Sequence, residues 1–96
     1  MRKYEVIFIV RPTVSEEEYK TVCEKFLNVL TSNGANKIDE KDMGQKELAY
    51  EINNFKSGFY HYFVVEANND AAINEFDRQA KNSSDIVRHM ITKIED

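Results

Sequence analysis

Apolar residues alternate with polar ones, or form short β-branched runs, in four segments of the chain, and they recur at helical spacing in two others. The first segment, residues 4–10, is rich in valine, isoleucine and aromatic residues and stops before Pro12. This pattern is typical of an inner strand that ends in a turn. Similar patterns predict strands over residues 38–52, 59–65 and 85–94.

Two helices are predicted between these strands. Ser15 precedes three glutamates and forms a capping box, in which its hydroxyl accepts from an amide of the first turn while Glu18 reaches back. The helix is expected to stop at Asn33-Gly34, and its apolar stripe consists of Tyr19, Val22, Cys23, Phe26, Val29 and Leu30. Residues 68–70 are predicted to cap the second helix, whose apolar face consists of Ile73, Phe76 and Ala80.

The order of the elements predicts the fold class. Residues 53–58 have the composition of a turn, so the second and third strands are expected to pair as a hairpin. The order β-α-β-β-α-β is typical of an α+β, ferredoxin-like domain, in which two helices cover one face of a four-stranded antiparallel sheet. At 96 residues the chain is expected to form a single domain, residues 1–96.

The uncovered face of this sheet is the first surface to consider for a function. In the first strand Val6, Phe8 and Val10 point to one side, and Ile7 and Ile9 point to the other. Both sides are therefore apolar, and one of them must meet something other than the helices.

The fourth strand divides in a similar way. One side carries Val87, His89 and Ile91, and the other carries Arg88, Met90 and Thr92. If His89 belongs to the core, Arg88 lies on the open face beside an apolar surface, where a guanidinium is a good anchor for phosphate or for a partner protein. An arginine that is merely solvated is the alternative.

The net charge is −4, from 17 Asp and Glu against 13 Lys and Arg. The protein as a whole therefore does not attract phosphate at long range, and a nucleic acid must meet a local basic patch or a basic partner. Five basic residues fall at predicted sheet positions and form either one cationic edge or a chance distribution: Arg2, Lys3, Lys46, Arg88 and Lys93.

No pattern in the sequence indicates an enzyme, a metal site, a cofactor or a membrane span. His61 and His89 lie alone in strands, and the single cysteine, Cys23, lies in the apolar stripe of the first helix. The apolar runs are far shorter than the ~20 residues of a membrane span, and the start of the chain is unlike a signal peptide. A cytoplasmic, non-enzymatic protein without a metal, a cofactor or a small-molecule substrate is expected.

An RNA recognition motif is the strongest alternative that the residues alone suggest. Residues 56–63 combine a lysine, a glycine and five aromatic or imidazole side chains, and the third strand of such a motif uses a basic residue, a glycine and aromatics to stack bases. The match is partial, because Ser57 intrudes and the first strand offers no second aromatic platform. Aromatic residues in a central strand more often pack in the core.

A set of short motifs, taken together, resembles the bacterial small-subunit ribosomal protein six family. They follow in matching order over essentially the whole chain: M-R-K-Y-E at the start, Arg11-Pro12, Gly44 with Leu48-Ala49-Tyr50 and Ile52, Gly58-Phe59-Tyr60, and Arg88-His89-Met90. The resemblance implies a ferredoxin-like fold and a structural role in the central part of the small ribosomal subunit. There the family binds small-subunit ribosomal RNA as a heterodimer with the basic ribosomal protein eighteen, which supplies phosphate binding that a chain of net charge −4 lacks.

Two groups of residues are assigned roles on this resemblance. The RNA-binding residues are predicted to be Arg2, Lys3, Lys46, Arg88 and Lys93, and the surface that meets RNA and partner is predicted to include Tyr4, Ile7, Ile9 and Tyr50. Lys46 is followed by Glu47, which either weakens the RNA contact or faces a basic residue of the partner. The alternative function is a ferredoxin-like interaction or ligand-sensing domain that self-associates through its open face and binds no RNA.

Overall fold

The computed structural model describes residues 2–52 and 55–94, apart from the side chain of residue 49. Its elements are β1 (Arg2–Val10), α1 (Glu16–Ser32), β2 (Asn36–Ile52), β3 (Phe55–Ala67), α2 (Ala71–Asn82) and β4 (Ile86–Ile94). The strands form one antiparallel sheet in the order β2-β3-β1-β4, and both helices pack on one face of it. The predicted β-α-β-β-α-β fold is confirmed. Neither helix of the described chain is long and apolar enough to cross a membrane.

The core lies between the sheet and the two helices and is centred on Phe8 of β1. Its ring lies 5.9 Å from that of Phe26 in α1, 5.6 Å from that of Phe63 in β3 and 6.0 Å from that of Phe76 in α2, measured between centroids. Val6 and Val10 face the same way as Phe8 and are fully buried. Strand alternation therefore sends these three side chains to the helices and leaves Ile7 and Ile9 on the open face, as expected.

The capping pattern of the first helix is confirmed. The backbone N–H of Glu18 donates to Ser15 Oγ at 3.2 Å, which satisfies one of the amides that a helix leaves without a partner in its first turn. At the other end Asn33 is the C-cap residue. Gly34 follows with φ of 97°, a conformation that glycine adopts at little cost.

Of the residues predicted to cap α2, Asn69 makes the capping hydrogen bond and Asp70 does not. Asn69 Oδ1 accepts from the N–H of Ala71 at 2.9 Å, whereas Asp70, at the N-cap position, makes no side-chain cap bond. Asp70 instead accepts hydrogen bonds from Tyr4 and Arg2 of β1, so it ties the start of the first strand to the start of the second helix.

The prediction of a turn over residues 53–58 is wrong for residues 55–58. β3 begins at Phe55, and Gly58 and Ser57 pair with Lys46 and Glu47 of β2; residues 53 and 54 lie outside the described residues. These polar strand residues extend past the end of β1, whose last pair with β3 is Val10 with Phe59. We call the projecting two-stranded segment, residues 45–52 and 55–58, the arm. Its residues are polar because both faces of the arm meet solvent, and not because they form a turn.

The prediction that Val87 shares the core side with His89 and Ile91 is also corrected. A bulge makes Val10 pair with Ile86 while its neighbour Ile9 pairs with Arg88, so Val87 is left without a partner in the register. Ile86 is 8% exposed and takes the core position. A single inserted residue shifts the alternation beyond it, which no local pattern of apolar residues reveals.

Candidate functional site

The open face of the sheet carries a shallow apolar groove at the end where β1 finishes. The groove has a volume of about 250 Å³ and is lined by Ile7, Ile9, Met43, Tyr60, Arg88, His89 and Met90. We call it the open-face groove. Met43 and Met90 are 37% and 52% exposed, so the groove presents flexible, polarizable side chains to whatever covers it.

Arg88 stands at this groove with its charge uncommitted. It lies opposite Ile9 in the register of β1 and β4 and is exposed, and no carboxylate within the described ranges forms an ion pair with it. The predicted placement of Arg88 on the open face beside apolar side chains is confirmed. A guanidinium in this position can bind a phosphate or a carboxylate without first breaking a bond inside the protein.

Close backbone packing fixes the position of Ile9 in the groove. A Cβ atom built on Gly58 would lie 2.3 Å from Ile9 Cγ2 and 3.1 Å from the carbonyl oxygen of Val10. Only a glycine lets β3 pass this close to the Ile9 side chain. Ile9 is 7% exposed and lies outside the core cluster, so it packs firmly although it belongs to the open face.

Met43 reaches the groove because β2 contains a bulge. Asp42 pairs with His61 and Gly44 pairs with Tyr60, so Met43 is the extra residue between them. Met43 and Tyr60 were missed as groove residues from the sequence. The glycine at position 44, with φ of 77°, was the only local signal of this bulge.

The predicted basic residues do not come together as one cationic edge. Arg2 lies at the start of β1, seven strand positions from Ile9, and Lys93 lies near the end of β4, five positions from Arg88. At the usual rise per residue these separations are about 23 Å and about 17 Å. Arg2 Nη1 lies 3.0 Å from Asp70 Oδ1. The hydrogen bond from Tyr4, with the charges of Arg2 and Lys93, holds the pKa of Asp70 below its ordinary value.

The prediction that Tyr4 belongs to the exposed sheet surface is wrong. Tyr4 is 6% exposed, packs in the core cluster on the helix side and donates its hydroxyl to Asp70 Oδ1 at 2.5 Å. It alternates with Lys3, and it therefore points to the opposite face from Ile7 and Ile9.

Lys3, Lys46 and Tyr50 occupy three further positions. Lys3 is on the open face near the start of β1, far from the open-face groove. Lys46 lies on the arm with Nζ 5.9 Å from the ring centroid of Tyr60, close to the groove. Tyr50, also on the arm, is 67% exposed. Of the predicted RNA contacts, Lys46 and Arg88 alone flank the groove.

The aromatic strand β3 divides between the two faces. Phe59, His61 and Phe63 pack on the helix side, and only Tyr60 and Tyr62 lie on the open face. The hydroxyl of Tyr62 donates to Glu5 Oε1 at 2.7 Å. This alternation differs from the base-stacking platform that an RNA recognition motif requires, because most of its aromatic surface is already in the core.

A polar cluster lies on the helix side, behind the groove, and joins two buried residues, Tyr19 and His61, to two exposed ones, Glu40 and Asp42; we call it the His61 cluster. His61 is 5% exposed. Its Nδ1 lies 2.8 Å from Tyr19 Oη and its Nε2 lies 2.7 Å from Glu40 Oε2, while Tyr19 Oη is 3.0 Å from Asp42 Oδ1. The cluster joins α1 to β3 and to the edge strand β2.

Two pKa shifts describe the charges of this cluster. Burial raises the pKa of the Tyr19 phenol above its ordinary value, so Tyr19 keeps its proton. Burial alone would raise the pKa of Glu40, but hydrogen bonds from Lys37 and His61 outweigh it and hold the pKa of Glu40 below its ordinary value. Glu40 is therefore an ionised acceptor at neutral pH.

The sequence matches the family model described as Ribosomal protein S6 over residues 3–93. The chain belongs to the ribosomal protein S6 family. This family consists of structural proteins of the small ribosomal subunit and is not a family of enzymes. The resemblance drawn from short motifs is thus confirmed over almost the whole chain.

Two solved structures are similar to this member of the S6 family. The 30S ribosomal protein S6 from Thermotoga maritima superimposes with a TM-score of 0.93 at 24% identity, covering 97% of this chain and 87% of that one. The C-terminal domain of the MgtC protein from Mycobacterium tuberculosis superimposes with a TM-score of 0.66 at 11% identity, covering 99% and 89%. At these identities the two likenesses establish the shared fold alone.

Proposed function

We propose that this S6 family protein binds small-subunit ribosomal RNA in the central domain, jointly with the basic ribosomal protein eighteen, in the cytoplasm. The observation that carries the proposal is the open-face groove with the uncommitted charge of Arg88 beside it. An apolar groove flanked by one guanidinium favours a protein surface in the groove and a phosphate or carboxylate at Arg88.

The charge of the chain supports binding of RNA together with the partner protein over binding of RNA by this chain alone. The net charge is −4, and the basic residues are spread along the sheet over about 23 Å. A chain of this kind neutralises few phosphates, so its own contribution to RNA affinity is small and strongly dependent on its partner. The chain therefore acts in the complex chiefly by covering and orienting the partner while Arg88 and Lys46 add contacts at the boundary.

The test is a binding titration with a central-domain fragment of small-subunit ribosomal RNA, with and without protein eighteen, at several salt concentrations. We expect the pair to bind more tightly than either protein, with affinity falling as salt rises. An unrelated RNA of equal length is the control. Equal affinity of the pair for both RNAs contradicts the proposal, and a chain that instead dimerises through the groove and binds no RNA supports the self-association alternative.

Arg88→Ala tests the residue assignment. The substitution removes one charge-assisted contact, which costs about 1.5–3 kcal/mol of binding free energy, a loss of roughly tenfold or more in affinity. If Arg88 meets a phosphate, the dependence of log affinity on log salt also decreases by about one unit. If Arg88 meets a carboxylate of the partner, affinity of the heterodimer falls without RNA present.

Arg78→Ala is the matched control for this experiment. Arg78 is an exposed arginine of α2, so it lies on the helix side of the sheet, away from the groove, and it forms an ion pair with Glu75. Its removal changes the net charge by the same amount as Arg88→Ala. It should leave the affinity for RNA and the affinity for the partner within about twofold of those of the unmodified chain. Equal losses in the two variants would mean that total charge, and not the groove, governs binding.

A further inference from the structure

The bulge of β2 is held from the side of the sheet opposite to the groove. Asp42 Oδ1 accepts from the backbone N–H of Gly44 at 2.9 Å and from Tyr19 Oη at 3.0 Å. The same carboxylate oxygen thus bonds the backbone of the bulge and a side chain of α1. Met43, the residue between Asp42 and Gly44, lines the open-face groove.

The donors and acceptors of the His61 cluster can be counted. If Tyr19 donates its single proton to Asp42, its oxygen must accept from Nδ1–H of His61. Nε2 of His61 lies 2.7 Å from the ionised carboxylate of Glu40, which only accepts, so Nε2 must carry a proton as well. All three hydrogen bonds therefore form together when the imidazole is doubly protonated, and a neutral imidazole leaves one of them unmade.

Carboxylates and aromatic rings surround the imidazole of His61. The ring is faced by two carboxylates from β2, whereas β1 and β3 present only the rings of Phe8 and Phe63. The remaining ionisable side chains around the cluster come from α1 and β2, and they are Lys20, Cys23, Glu24 and Lys37. Lys37 bonds the second oxygen of Glu40 at 2.9 Å, and burial raises the pKa of the Cys23 thiol to about 12, so Cys23 adds no charge.

We infer that the His61 cluster is a proton-dependent clasp, which fixes the bulge of β2 from the helix side and thereby positions Met43 in the open-face groove. When His61 loses a proton, the bond from Nδ1 to Tyr19 or the bond from Nε2 to Glu40 is lost, and the hold of α1 on Asp42 weakens. The effect on partner binding rests on the proposed function, whereas the coupling between the two faces of the sheet does not.

The first experiment compares Tyr19→Phe with Tyr4→Phe in the full chain without RNA or partner. Each variant removes one buried tyrosine hydroxyl that donates to an aspartate, but only Tyr19 is part of the clasp. In Tyr19→Phe we expect the amide of Gly44 to exchange with deuterium about tenfold faster and the methyl resonance of Met43 to shift. Tyr4→Phe should change neither signal.

Asp42→Ala provides a second variant that does not touch the core, because Asp42 is exposed. It should reproduce the faster Gly44 exchange and the shifted Met43 methyl, whereas Asp42→Asn, which keeps an acceptor oxygen, should retain most of the protection. Unchanged Gly44 and Met43 signals in Asp42→Ala, or equal changes in Tyr19→Phe and Tyr4→Phe, overturn the inference.

The proton dependence is tested on the unmodified chain by following the ring nitrogens of His61 and the exchange protection of Gly44 in one pH titration. Protection, corrected for the intrinsic dependence of exchange on pH, should fall by about tenfold over the range in which His61 loses its second proton. A neutral ring throughout the titration, or protection that stays constant while the ring titrates, overturns the proton-dependent part of the clasp. Failure of RNA binding leaves these readouts unaffected.

Discussion

Gly58 lies where β3 passes beneath the side chain of Ile9, and the contact leaves no space for a side chain. A methyl group at this position would come within 2.3 Å of Ile9 Cγ2, and Ile9 is branched at Cβ, so its rotamer cannot change freely. The backbone of the sheet and the open-face groove are therefore coupled at a single residue.

Gly58→Ala is expected to destabilise the protein by about 1–3 kcal/mol, the usual cost of forcing extra volume into a packed site. The midpoint of urea denaturation measures the loss. Ser57→Ala, one residue earlier on the same strand, is the control and should change stability by no more than about 0.5 kcal/mol. Equal stability of Gly58→Ala and the unmodified chain would show that Ile9 moves aside without cost.

At the scale of the elements, α1 begins at a cap that its own sequence supplies. The N–H of Glu18 donates to Ser15 Oγ, and the Ser15 hydroxyl lies 3.3 Å from Glu18 Oε1. Three glutamates in the first turn add a favourable interaction with the helix dipole. These contacts are exposed and local, so they set where the helix starts without involving the core.

Ser15→Ala should lower the free energy of unfolding by about 1 kcal/mol, because one amide of the first turn loses its acceptor. Thermal unfolding followed by circular dichroism measures this change. Ser84→Ala, at an exposed turn before β4, is the matched control and should be close to neutral. A Ser15→Ala variant as stable as the Ser84→Ala variant would contradict a capping role.

The edge strand β2 pairs irregularly with β3. Its register with β3 shifts between Lys37 and Asp39 and again between Asp42 and Gly44. Bulges and charged side chains at an edge discourage unplanned pairing with another chain, and the second bulge also adds Met43 to the groove. The irregular register of β2 thus discourages pairing at its free edge and also contributes a side chain to the open-face groove.

For the whole molecule, carboxylates with lowered pKa values make stability depend on pH. The pKa values of Asp70, Asp77 and Glu40 all lie below their ordinary values: the hydrogen bond from Tyr4 is the main cause for Asp70, and the bond from Lys81 followed by that from His89 for Asp77. A carboxylate with a lower pKa in the folded than in the unfolded state stabilises the fold above its unfolded pKa, and this contribution is lost as pH falls through the folded pKa.

We therefore expect the free energy of unfolding to decline as pH falls below about 4.5, the unfolded range of these side chains. Urea denaturation at pH 7, 5 and 3 measures the decline. Asp70→Asn should lower stability at pH 7 and flatten the dependence between pH 5 and 3, because its share no longer titrates. A variant with the same steep acid loss as the unmodified chain would contradict the assignment of Asp70.

Local patterns in the sequence were enough to predict the six elements, the cap at Ser15, the placement of Phe8 in the core and of Arg88 on the open face. Each of these follows from periodicity or from contacts within four residues along the chain. The family resemblance was likewise carried by short motifs in order, and the match over residues 3–93 confirms it.

Strand register and the sites built across strands required the three-dimensional structure. The bulge that brings Met43 into the groove, the one that replaces Val87 by Ile86 and the extension of β3 back to Phe55 all depend on which residue pairs with which. The hydrogen bond from Tyr4 to Asp70 also required the structure, because the two residues lie 66 positions apart along the chain. Register is set by packing and hydrogen bonds summed over the whole sheet, so one extra residue redirects side chains, and of these changes only the bulge at Met43 had a local signal, Gly44.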